Sequence, residues 1–196
     1  MTKINDSLIR SVIYSNLITR HKASTNALIV EELSLCRGSA RIDLAIITEH
    51  LQGYEIKSEL DSLRRLRNQI KIYNKVMDKI TIVTTYNHLE DVEKLVPEWW
   101  GINIVSRIEQ NKLHISYHRR QKHNHNVDVT SILELLWKDE ALSILEKHSL
   151  AKGMYNKSRS HIYKKLAEDI PLTKLKLDVN RTLMDRKHWR AVPLHR

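Results

Sequence analysis

Three residues of this chain have the types and spacing for phosphate chemistry. Asp43, Glu55 and Lys57 form the pattern D-x11-E-x-K. Asp43 interrupts the apolar run Ile42-Asp43-Leu44-Ala45-Ile46-Ile47, and Glu55 and Lys57 bracket Ile56. A carboxylate in an apolar strand is costly unless a metal, a cation or hydrogen bonds compensate it. Two such carboxylates offer hard oxygen ligands for Mg2+ or Mn2+, and the backbone carbonyl of Ile56 can complete the coordination. A metal held there would polarise a phosphodiester and lower the pKa of an attacking water. Lys57 would position that water or offset charge developing on the phosphoryl oxygens. A structural salt bridge between Asp43 and Lys57 accounts for the same residues without catalysis.

The elements that would position these groups are legible from periodicity. Arg41–Thr48 reads as a strand covered on both faces. A second strand starts at Leu51 or Tyr54 and ends at Ser58. Alternation puts Glu55 and Lys57 on one of its faces and Tyr54, Ile56 and Ser58 on the other. A hairpin can then set Asp43 beside them. Upstream, Leu8, Val12, Ile13 and Leu17 mark a first amphipathic helix. Ala27–Leu35 fits either a short helix or an irregular strand. Downstream, Asp61 or Ser62 caps a helix whose buried face is Leu63, Leu66, Ile70, Tyr73 and Met77. Gln69 lies at the margin of that stripe, within reach of the site. Strands at Ile80–Thr85, Gly101–Ser106 and Leu113–Tyr117 follow, with a helix at about His88–Val96 ended by Pro97. Residues 119–130 read as a basic polar linker or mobile loop. Beyond it the chain reads as helical: Ile132–Lys147 with Ser131 as cap, Ser160–Asp169 and Thr173–Asp185. Trp189 belongs to a tail that packs back. The expected fold class is α/β, a mixed sheet flanked by helices, with a C-terminal helical extension. The division is 1–118 for the core, 119–130 for the connection and 131–196 for the extension.

The chain has 196 residues and a formal charge of +10. Residues 119–196 carry 17 Lys+Arg against 9 Asp+Glu, a balance of +8, so residues 1–118 carry the remaining +2. That asymmetry favours a polyanionic partner, DNA above all. Lys157, Arg159, Lys164, Lys165, Arg181, Arg186, Lys187 and Arg190 are the tail cations expected to line it. Phosphate contacts of this kind position a duplex without reading its sequence. Arg41 is a phosphate contact or a rim ion pair. Arg37 with Gly38 forms a phosphate-binding turn, or the glycine serves only the backbone. Arg64, Arg67, Lys71 and Lys75 read as a solvated helix face, with a DNA flank as the other reading. His118, His123 and His125 match no closed zinc motif and read as solvated. Trp99-Trp100 reads as packing beneath the sheet. A single cysteine, Cys36, excludes an intramolecular disulfide framework. No run of about 18 apolar residues suggests a membrane span, and no signal-peptide core follows the first residues.

Several of these stretches resemble a known family. They are Cys36-Arg37-Gly38 through Arg41-Ile42-Asp43, Gly53-Tyr54-Glu55-Ile56-Lys57-Ser58, Asp61, Leu63 and Arg65-Leu66, Gln69, Tyr73, Val76 and Asp78. Leu136-Trp137-Lys138-Asp139-Glu140-Ala141 and Arg186-Lys187-His188-Trp189 look similar too. Together they resemble the PD-(D/E)XK nuclease superfamily, and within it the bacterial and phage sce7726 family. The resemblance implies a restriction-endonuclease-like fold, metal ligation by Asp43 and Glu55, and Lys57 as catalytic lysine. It implies a further metal-site glutamate from an upstream segment, Glu32, with Glu31 as the alternative register. It also implies a role for Gln69 near the site. Ile42 stands where the superfamily name has proline. The expectation is therefore a Mg2+-dependent deoxyribonuclease, an endonuclease-type hydrolase in the cytoplasm, bacterial or phage-encoded. A homodimer or an accessory protein is a candidate partner. The alternative is a catalytically inactive nuclease-fold protein that binds nucleic acid or a partner.

Overall fold

The computed structural model describes residues 3–21, 27–109, 112–187 and 189. Six strands form one sheet in chain order: β1 (Leu28–Leu35), β2 (Ala40–Ile47), β3 (Leu51–Lys57), β4 (Lys79–Thr84), β5 (Gly101–Glu109) and β6 (Lys112–Arg119). The pairs β1–β2, β2–β3 and β5–β6 are antiparallel, whereas β3–β4 and β4–β5 are parallel. The mixture follows from the connections. Tight turns return the chain antiparallel, while a parallel pair needs a crossover. Helices α2 (Leu66–Val76) and α3 (Tyr86–Leu95) supply the two crossovers.

Helix α1 (Asp6–His21) covers one face of the sheet. Its buried row is Ile9, Ile13 and Leu17, packed with Ile4 against Leu44, Ile46, Tyr54, Ile56, Val83 and Val105. Leu8 and Val12, expected in that row, are only half-buried. The strict four-residue spacing from Ile9 makes the better ridge against a sheet. The opposite face carries the larger core. Ile47, Ile80, Ile82, Ile102 and Ile104 pack there with Leu66 and Tyr73 of α2. The same core continues into α4 (Val129–Leu133), α5 (Lys138–Lys147), α6 (Arg159–Asp169) and α7 (Leu172–Asp185) through Ile132, Leu145, Leu166, Leu175 and Val179. The sheet, its flanking helices and the helical C-terminal part match the expected α/β class at that level.

Three local differences have physical causes. Ala27–Leu35 is mostly strand β1, with Glu32 in a left-handed conformation at φ 54 in its middle. The single helix expected over Ile132–Lys147 is two. Asp128 accepts from Ser131 N at 2.7 Å and starts α4 earlier, and Glu140 accepts from Trp137 N at 2.7 Å where α5 begins anew. Residues 119–130 form a loop that is tied down. Lys122 N donates to Trp99 O, Asn124 N to Asp78 O and Asp128 N to Lys75 O, each at 2.8 Å. Gly101 permits this approach, since a Cβ there would stand 3.0 Å from the Gln121 backbone nitrogen. No described helix is long and apolar enough to cross a membrane.

Candidate functional site

The ladder between β2 and β3 ends at the pair Leu44–Tyr54, one residue short of Asp43. Asp43 fills the gap with its side chain: Oδ2 accepts from the Ile56 amide at 2.7 Å. Ile56 thus enters the cluster through its N–H. Oδ1 of Asp43 accepts from Arg10 Nη2 at 2.9 Å, and Arg10 Nη1 donates to the Asp43 carbonyl at 3.0 Å. Arg10 also faces Glu32 at 2.9 Å and Asp6 at 3.2 Å. Glu32 stands opposite Asp43 across β1 and β2, between the pairs Glu31–Leu44 and Leu33–Ile42. Its other oxygen lies 3.6 Å from Arg41 Nε. Three carboxylates from α1, β1 and β2 therefore converge on one arginine.

Glu55 and Lys57 share a face, as alternation requires, and are buried. Lys57 Nζ donates to Glu55 Oε1 at 2.5 Å, and Gln69 Nε2 donates to the same oxygen at 2.7 Å. The Tyr73 hydroxyl lies 2.8 Å from Glu55 Oε2 and 2.5 Å from the Arg41 carbonyl. Tyr73 thereby joins the two halves of the cluster. The Gln69 Oε1 atom is buried without a partner among the described residues. Burial first, and then the facing Glu55, push the Asp43 carboxyl up to about 7; the Ile56 amide and Arg10 oppose that rise. Burial and Glu55 also push the Tyr73 hydroxyl up. Arg10 is held charged by Asp43, Asp6 and Glu32 against the cost of its own burial.

The structure brings together Glu32, Asp43, Glu55, Lys57 and Gln69. It adds two residues that sequence reasoning missed. Tyr73 was legible as a core position and as one of the residues carrying the resemblance, but with no role at the site, and Arg10 was not singled out. Lys57 was the cation expected to pair with Asp43; in the fold Lys57 pairs with Glu55 and Arg10, at the edge of the first helix's buried row, pairs with Asp43. Every carboxylate oxygen of Asp43 and Glu55 already accepts a hydrogen bond from the protein. Among the described residues no group of three or more His, Cys, Asp or Glu is placed to hold a metal ion.

Most of the expected phosphate contacts are engaged within the fold. Arg37 pairs with Glu134 at 2.8 Å. Lys165 pairs with Asp169 at 2.7 Å, and Lys164 lies 3.7 Å from Glu168. Arg186 is buried between Trp137 and Trp189 and pairs with Glu140 at 2.6 Å. Arg159 lies over the Tyr163 ring. Lys157 and Lys187 are exposed, and Arg190 lies outside the described residues. The exposed cations instead cluster at the start and outer face of α2. Arg64, Arg65, Arg67, Lys71 and Lys75 are all exposed, and none pairs with a carboxylate among the described residues. A second buried charge lies at the other end of β3. Asp78 accepts from Leu51 N at 2.9 Å and from Lys176 of α7, with His50 and His123 at 3.9 and 4.0 Å. Trp100 packs fully buried, stacked on Tyr73.

What these features define is a mixed α/β protein with a cation-clamped polar cluster between sheet and helices. The sequence profile described as Bacteriophage P4 protein cII matches residues 2–192, and the chain belongs to that family. It is 29 % identical over 166 residues to Protein cII of Enterobacteria phage P4, covering 84 % of this chain. The chain spans about 61 % of the length of that relative. A solved structure, the SPO1766 protein of unknown function from Silicibacter pomeroyi, is 18 % identical with a TM-score of 0.41, over 77 % of this chain and 94 % of the other. That likeness is too distant to bear on fold or function.

These findings correct the expectation drawn from the D-x11-E-x-K pattern. The family is that of P4 cII, not the PD-(D/E)XK nucleases or the sce7726 group. The reading as a metal-dependent DNase, with its nuclease, endonuclease, hydrolase and metal-binding terms, falls with it. The physical reason is that each charge of the triplet already has a partner within the protein. Lys57 neutralises Glu55, and Arg10 faces Asp43.

Proposed function

We propose that this chain is a nucleic-acid-binding protein that holds DNA without hydrolysing it. In this reading residues 1–118 form a scaffold with a restriction-endonuclease-like arrangement, 119–130 the connection and 131–196 the helical extension. The place of action is the bacterial cytoplasm, where phage DNA is found. The single observation that carries the reading is the basic row on α2. Arg67, Lys71 and Lys75 recur at four-residue spacing, with Arg64 and Arg65 just ahead of them. Like charges at this spacing destabilise a helix by a few tenths of a kcal/mol per pair. No carboxylate among the described residues relieves them, and a polyanion would. At 1.5 Å per residue the row is roughly 12 Å long, which matches about three to four nucleotide steps along one strand. Asp43, Glu55, Arg10 and Lys57 act in this reading as a rigid strut that fixes β2 and β3 beneath α2. Mg2+ and Mn2+ are not required for binding.

The test is fluorescence anisotropy with a labelled duplex, in Mg2+ and in EDTA, followed by gel analysis of the recovered DNA. The wild type is expected to bind in both conditions and to return DNA of unchanged length. The Arg67→Ala/Lys71→Ala/Lys75→Ala variant is expected to bind about tenfold or more weakly. Equal binding by that variant would overturn the reading.

A further inference from the structure

On the α1 side of the sheet, beyond Leu17, a cavity of about 400 Å³ opens. Strands β3, β5 and β6 contribute Tyr54, Asn103 and Tyr117, and Arg20, Arg119 and Arg120 stand around it. Among the described residues no carboxylate lines it. Its size falls within the range of small-molecule sites, about 300–1,000 Å³.

Some of the lining groups are held by the fold, and others have no partner among the described residues. Asn103 is 8 % exposed, and its amide has no hydrogen-bond partner among the described residues. The amide opens its polar atoms into the cavity and keeps access to solvent. It presents one acceptor and two donors, the set needed to meet the polar edge of a base. Tyr117 is 60 % exposed. Arg20 donates to its hydroxyl and lies 5.8 Å from the ring centroid. Arg119 is anchored by the carbonyls of Trp100 at 2.8 Å and Pro97 at 3.1 Å. Arg120 is exposed and makes no hydrogen bond or ion pair among the described residues. The Tyr54 hydroxyl has no hydrogen-bond partner there either. The cavity thus combines cations without counter-charge, an accessible aromatic face and an orphan amide.

We propose that this cavity binds one nucleoside phosphate, with the phosphate on Arg20 and Arg120, the base against Tyr117 and its polar edge on the Asn103 amide. Stacking on tyrosine serves any base, and the guanidinium groups meet phosphate through paired N–H donors. The ligand is either a free nucleotide or one unit of a single strand, which share this chemistry. The proposal goes beyond duplex binding by α2 and shares no residue with it.

Isothermal titration of the full chain tests it, using the deoxynucleoside and nucleoside 5′-monophosphates, ribose 5-phosphate and inorganic phosphate. At least one nucleotide is expected to bind saturably, and at least tenfold more tightly than ribose 5-phosphate or phosphate. Arg120→Glu and Tyr117→Ala, both at exposed positions, are expected to weaken that binding at least tenfold while circular dichroism stays unchanged. Asn103→Leu is expected to reduce the preference among bases. The Arg67→Ala/Lys71→Ala/Lys75→Ala variant is expected to bind nucleotide normally, which separates this site from the duplex surface. A short oligothymidylate that outcompetes the monomer identifies a strand as the source, and one that does not identifies a free nucleotide. The proposal is overturned by the absence of saturable binding, by equal affinity for phosphate alone, or by binding that survives both Arg120→Glu and Tyr117→Ala.

Discussion

At the scale of single residues, the cluster around Asp43 sets two expectations. The Asp43 carboxyl is pushed up to about 7 in the fold by burial and by Glu55, whereas an unfolded aspartate titrates at about 3.9. Between those values the folded state holds a proton that the unfolded chain has lost. Stability therefore falls as pH rises from about 4 to about 7 and then levels off. Asp43→Asn removes this group from the balance and should flatten that decline, as thermal midpoints measured across the interval would show. Parallel curves for the two proteins would refute the assignment. Glu32 holds a left-handed backbone within a strand. Such a conformation costs roughly 1–2 kcal/mol for a residue with a Cβ and little for glycine. Both Glu32→Gly and Glu32→Ala lose the contact with Arg10. The glycine variant should nonetheless be more stable than the alanine variant by about 1 kcal/mol, read by urea unfolding.

At the scale of elements, α7 is tied to the sheet through one buried ion pair. Lys176 reaches Asp78, whose side chain is 1 % exposed. Removing one partner of a buried pair strands the other charge and costs about 3 kcal/mol or more. Lys176→Met should cause a loss of that order in urea unfolding. Lys176→Met combined with Asp78→Asn should recover part of it, because the stranded charge is gone. Additive losses would show that the pair does not couple α7 to β4. The elements themselves were largely readable. Apolar runs marked every strand except β1, where Glu31 and Glu32 broke the pattern. The split between α4 and α5 was not readable, because it rests on Glu140 accepting from Trp137 N where α5 begins, within an apolar stretch whose spacing runs on through it.

At the scale of the whole molecule, charge is the property with the longest reach. The sequence places most of the net positive charge after residue 118, where phosphate contacts are therefore expected. In the fold many of those cations have partners on the same helix or in the core, whereas the row at Arg64–Lys75 has none among the described residues. Duplex binding should accordingly depend steeply on salt. Five phosphate contacts give a slope of about −4.5 in log K against log salt. The Arg67→Ala/Lys71→Ala/Lys75→Ala variant should flatten it by about 2 to 3. A slope unchanged in that variant would place the contacts elsewhere.

The sequence by itself determined the fold class, most element boundaries and the shared face of Glu55 and Lys57. Those follow from local periodicity, which the backbone imposes within a few residues. It could not determine what the charged groups do, because their partners lie far away along the chain. Arg10 meets Asp43 across 33 residues and Lys176 meets Asp78 across 98. Only the tertiary structure decided that Glu55 meets Lys57 while Asp43 meets Arg10, and that the open cations lie on α2 and around the cavity at Asn103. The physical reason is that a charge is read by its surroundings: the same carboxylate is a ligand, a strut or a cost according to which cation the fold sets beside it.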